Sequence, residues 1–133
     1  MKEYVFRLHR GNDLLEEIKK YAKEKHIKAA VIVSAVGCVS KARIRDASGV
    51  TIQEIEEEME IVSVMGTVSE ERTHLHISLS KKNLSTIGGH LKEGCIINTT
   101  AEIVLLSFED VEFGEEYDKE TGYHELKIKR TVE

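Results

Sequence analysis

The strongest constraint on this chain is one early stretch of helical periodicity followed only by strand periodicity. Leu14, Leu15, Ile18, Tyr21 and Ala22 recur at helical spacing, with Glu and Lys filling the opposite face. Asp13, after Gly11-Asn12, stands where an N-cap belongs, and the pattern predicts a helix ending near Lys25. Ahead of it, Tyr4, Phe6 and Leu8 alternate with Val5, Arg7 and His9, which predicts a strand over 4–10. Behind it, Ala29 to Val36 is a short β-branched run closed by Gly37, and it reads as a strand buried on both faces. A second strand then carries Ala42 and Ile44 inward and Arg43 and Arg45 outward to a Ser48-Gly49 turn, with 51–57 able to complete a hairpin. Strands are predicted over 59–68, where Gly66 marks a bulge or close approach, over 74–80, and within the apolar stretch 95–108. The acidic run 114–118 reads as a loop, and 123–130 as a last edge strand. One helix and six or more strands, without βαβ alternation, imply an α+β fold with a largely antiparallel sheet.

Length and composition narrow the class. A chain of 133 residues without linker, repeat or low-complexity tract reads as one domain over 1–133. Aromatics make up 5% and Trp is absent, so the core has to be built from Val, Ile, Leu and Ala. A net charge of −5 gives no general attraction for phosphate backbones. Lysines over 19–28 are interspersed with Glu16, Glu17 and Glu24, which is a mixed polar helix face, and the acidic residues from Glu54 to Glu60 repel nucleic acid. No apolar run is long enough for a membrane span, and the N-terminus lacks the pattern of a signal peptide. Cys38 and Cys95 form no CxxC pair and have apolar neighbours, so both are expected as buried, reduced thiols of a cytoplasmic protein.

The chemistry-bearing residues are histidines. On a strand, residues two apart share a face, so His74 and His76 stand together, about 6.6 Å apart along the chain. Two imidazoles at that spacing can lean onto one ion, although a solvent-facing strand carries histidines in the same pattern. His90 follows Gly88-Gly89, whose missing side chains permit close backbone approach to another element. If that approach brings His90 to the strand, His74, His76 and His90 form a site for zinc or another divalent metal, one per chain. Glu102 is a candidate fourth ligand or second-layer hydrogen-bond partner. His9, His26 and His124 lack comparable neighbours and are expected as surface residues. No HExxH, GxSxG, Walker or GxGxxG motif is present, and no general acid or base can be placed.

Four segments in order, Ser34 to Arg45, Met59 to Val68, His74 to Ser80, and Ile87-Gly88-Gly89-His90-Leu91 with Thr100 to Val104, resemble the PPC (plant and prokaryote conserved) domain. The resemblance covers about 4–113 and leaves the tail 114–133 without a role. It implies an antiparallel sheet with flanking helices, assembly as a homotrimer, and metal in some prokaryotic members. In plants the domain follows an AT-hook and joins nuclear proteins to transcription factors; this chain, having no Pro, has no AT-hook, and Glu58 stands where the plant form has Arg. A trimer would carry three times −5, or −15, so direct DNA binding is expected to be weak. The leading expectation is a trimeric binding or regulatory module, associated with DNA through a partner. The alternative is a zinc-dependent enzyme or small-molecule sensor, and a third reading is a structural trimer without ligand.

Overall fold

The computed structural model describes residues 1–131. Its elements are β1 (Lys2–His9), α1 (Leu14–Glu24), β2 (Ala30–Arg45), β3 (Ile52–Ile55), β4 (Met59–Val68), β5 (Thr73–Ser80), β6 (Thr86–Leu91), β7 (Ile96–Ser107), β8 (Val111–Tyr117) and β9 (His124–Arg130). β1 to β7 make one antiparallel sheet in the order β1-β7-β2-β4-β5-β6, with β3 paired to the end of β2. β8 and β9 form a separate two-stranded hairpin. The expected flanking helices reduce to α1 alone among the described residues.

Local signals explain α1. Its N-cap Asp13 accepts a hydrogen bond from the Glu16 backbone N–H at 3.1 Å, satisfying one of the helix's free donors. The other Asp13 carboxylate oxygen accepts from the Gly94 N–H at 2.7 Å, which ties the helix start to the turn before β7. Leu14, Leu15, Ile18 and Ala22 are buried in one cluster with Leu8, Ile32, Ile103 and Leu105. The Tyr21 ring stacks on Phe6 of β1 at 3.9 Å. The helix therefore seals one face of the sheet.

Three expectations need correction. The two strands foreseen on either side of Gly37 are one 16-residue strand, β2. A Cβ at Gly37 would stand 2.2 Å from the Thr100 carbonyl oxygen, so glycine lets β2 stay paired with β7 through a register shift. Nor is the first half of β2 covered on both faces: Ile32 and Ala35 are buried, while Val33 and Val36 are 57% and 55% exposed. The acidic run at 114–118 is not a loop, because its residues 114–117 belong to β8 and pair one for one with β9. The intervening turn closes with the Gly122 N–H donating to the Asp118 carbonyl at 2.8 Å.

The far end of the sheet curls back on itself. β6 pairs with β5 on one side, and on the other Ile44 and Arg45 of β2 pair with Leu91 and His90. Two glycines make the fit possible. A Cβ at Gly88 would lie 2.4 Å from the Ile77 carbonyl oxygen, and one at Gly89 would lie 2.6 Å from Ile44 Cγ2 and 2.8 Å from the Arg45 carbonyl oxygen. Gly89→Ala is expected to destabilise the protein by about 1–3 kcal/mol, as overpacking does. A urea unfolding curve indistinguishable from that of the parent protein would contradict this account of the closure.

Candidate metal centre

β5 alternates as its sequence implies: Leu75, Ile77 and Leu79 are buried, and His74 and His76 face outward. The ladder supplies the third imidazole. His90 on β6 lies directly opposite His76, so it arrives as the neighbour of β5 within the sheet rather than as a residue laid over it. The ring centroids are 5.2 Å apart for His74 and His76, 5.1 Å for His74 and His90, and 5.6 Å for His76 and His90. One ligand atom from each ring lies within 4.8 Å of the others, a spacing at which the three could hold a metal ion. Zn–N bonds of about 2.0–2.1 Å in a tetrahedron require nitrogens about 3.3 Å apart, so the rings would have to close in on a bound ion.

The electrostatics keep the ring lone pairs available. The His90 pKa falls to about 4, first because burial disfavours the charged form, then because Arg45, His74 and His76 lie nearby. His74 is lowered for the same leading reason, with the charge of Arg72 next; Glu125 acts in the opposite sense. His90 Nδ1 is buried and has no hydrogen-bond partner among the described residues. An unpartnered buried nitrogen costs free energy unless something binds it. Three imidazoles, one of them with a buried nitrogen that has no partner among the described residues, fit a borderline-soft divalent ion better than a hard one such as magnesium.

Other expected residues fall elsewhere. Glu102 lies on β7 with β2 and β4 between it and β5, pairs in register with Val36, and is exposed, so within the chain it is not beside the histidines. Cys95 is buried and free, its thiol pushed up to about 11 by burial. Cys38 is only half-buried and donates to the Asn98 carbonyl at 2.8 Å. His9 and His26 are exposed, His26 beside Glu70 at 3.4 Å. His124 is exposed too, yet it edges a cavity that reaches His74 and His90. The acidic run is partly neutralised, since Lys41, Lys81 and Lys82 pair with Glu54, Glu57 and Glu58.

The tail, given no role from sequence, forms one wall of this site. Tyr123 and Glu125 line the cavity on one side of His74, with Arg45 and Arg72. Glu125 also borders the groove on the other side, which runs along Met65, Gly66 and His76. The hairpin is fastened there by the Phe113 N–H donating to the Lys28 carbonyl and by Ser69 Oγ donating to the Phe113 carbonyl at 2.7 Å. The signal that could have found it was the alternation of Val111, Phe113 and then Leu126, Ile128 around a turn ending in Gly122.

Comparison with known proteins gives consistent matches. The family model described as the Plants and Prokaryotes Conserved (PCC) domain matches residues 1–109. The bifunctional protein GlmU of Synechococcus sp. (strain JA-3-3Ab) is 36% identical over 133 residues, which is all of this chain and 21% of that protein. The chain spans about a fifth of the length of the curated relatives it matches. Among solved structures, a hypothetical protein of Salmonella superposes with a TM-score of 0.94 at 25% identity, covering 98% of this chain and 95% of that one. A metal-containing protein of Archaeoglobus fulgidus gives a TM-score of 0.80 at 30% identity, covering 96% and 94%. A Bacteroides thetaiotaomicron protein provisionally called DNA-binding gives 0.84 at 22% identity, covering 94% and 91%, and shows likeness of fold alone.

In the metal-free protein, His90 is expected to stay neutral down to about pH 4. The unfolded chain takes that proton near the ordinary 6.5, so this contribution to stability is complete above 6.5 and is lost progressively down to about 4. Ring NMR titration reads the first statement; His90→Gln should flatten the second in pH-dependent unfolding.

Proposed function

The chain belongs to the Plants and Prokaryotes Conserved domain family, and from that membership we propose a trimeric binding and regulatory module that carries one zinc-type ion per subunit. The observation that carries the metal part is the convergence of His74, His76 and His90, with the buried Nδ1 of His90 unpartnered among the described residues. The metal-containing relative from Archaeoglobus supports the same reading. These three residues would hold the ion as neutral nitrogen donors. When bound, such an ion would supply Lewis acidity beside these residues. Free thiols at Cys38 and Cys95 suit a reducing, cytoplasmic setting.

The trimer is supported by the face of the sheet that α1 does not cover. Val5, Val33, Val36, Val62 and Met65 are each more than half exposed there, on β1, β2 and β4, with β7 lying between β1 and β2. An apolar surface of that kind marks an association site. Association with DNA would run through a partner, since the net charge of −5 opposes phosphate. The second reading, a zinc-dependent enzyme or small-molecule sensor, is favoured by the cavity of about 500 Å³ that opens onto His74 and His90.

Elemental mass spectrometry of the tag-free protein is expected to find about one zinc per chain, lost in His76→Ala and His90→Ala variants that still fold. A parent protein that takes up no zinc on incubation would return these histidines to the surface class. Light scattering should give a trimer for the parent and a smaller species for Val36→Glu. A monomeric parent would end the trimer reading.

A further inference from the structure

The cavity beside the histidines carries a second chemistry that metal binding leaves unused. It is bounded by Arg45, Arg72, His74, His90, Tyr123 and Glu125. Arg72 is already engaged: its Nε lies 3.8 Å from Glu115, and its guanidinium reaches the His124 carbonyl at 3.5 Å. Arg45 is not. Its Nε is buried and has no hydrogen-bond partner among the described residues, and it sits in register with His90 across the β2–β6 pairing. A buried charged donor without an acceptor is costly, and a guanidinium fork is shaped for a planar oxyanion.

We infer that this cavity binds a small organic carboxylate, held by Arg45 against the histidine cluster. The inference rests on the metal reading, because a divalent ion on three neutral imidazoles adds the positive charge that Glu115 and Glu125, also in the wall, would otherwise offset. The same two acids select the ligand's charge. They repel a phosphate dianion more strongly than a single carboxylate. Tyr123, half-exposed at the rim of the hairpin, offers an apolar ring to the organic body. The C-terminal hairpin is thus a wall of the ligand site, which gives the tail a function.

The test uses the full chain loaded with cobalt(II), with metal content measured first and propanoate as the probe. Propanoate should change the visible cobalt spectrum saturably, and inorganic phosphate should bind more weakly. Arg45→Gln should weaken propanoate about tenfold, the loss of one charge-assisted hydrogen bond, with cobalt per chain unchanged. Arg45→Lys should fall between the two and serves if the glutamine variant does not fold. A loaded parent protein indifferent to propanoate would overturn the inference while leaving the metal site standing. Equal affinity in the Arg45 variants would also overturn it, and an accompanying change of oligomeric state would assign Arg45 to a contact between copies. Phosphate binding more tightly than propanoate would refute the carboxylate. Failure of the parent protein to take up cobalt would remove the metal reading, and this one with it.

Discussion

Everything at the candidate site depends on β6 fitting between β5 and the end of β2. That fit is a steric matter. Gly88 and Gly89 leave room for the carbonyl oxygens of Ile77 and Arg45, and any side chain there would push one neighbour away. With both ladders made, His90 is held opposite His76 by one and opposite Arg45 by the other. The same two pairings that close the sheet thereby bring three imidazoles to one place, beside an arginine whose buried Nε has no hydrogen-bond partner among the described residues. A local constraint on backbone volume becomes a constraint on chemistry.

The two faces of the sheet divide the remaining work. One is sealed by α1 and an aliphatic cluster in which Ile103, Leu105, Ile18 and Leu14 are fully buried. Burial of aliphatic side chains is the dominant favourable term in such a core, and it needs no aromatic contribution beyond Phe6, Tyr4 and Tyr21 at its margin. The other face keeps Val5, Val36, Val62 and Met65 in the open, and Met65 lies directly across from His76. The apolar face and the histidines are therefore continuous. An assembly built on that face would border the site, so ligand binding and association would share a surface.

Much of this was legible from residue pattern. The Asp13 cap, the α1 stripe and the alternation of His74 to Ser80 are read from neighbours a few positions apart, and the structure follows them. The pairing of His74 with His76 follows from the same period of two. Misreadings arose where a local signal was overridden by a distant partner. Gly37 looks like a strand end, yet β7 carries the ladder past it. The stretch 114–117, with Glu115 and Glu116, looks like a loop, yet β9 supplies its pairing partners. Glu102 shares a chemistry with metal ligands, but two strands separate it from β5.

By itself the sequence determined the helix, most strand positions, the aliphatic core and the family, because hydrophobic period, caps and turn residues act over a few residues. Tertiary structure alone decided that His90 stands opposite His76, that Arg45 Nε beside it has no acceptor among the described residues, and that the tail folds back as a wall. Those facts depend on strand order and register, which are set by contacts between residues tens of positions apart. Periodicity within one strand carries no information about which strand lies next to it, or in what register.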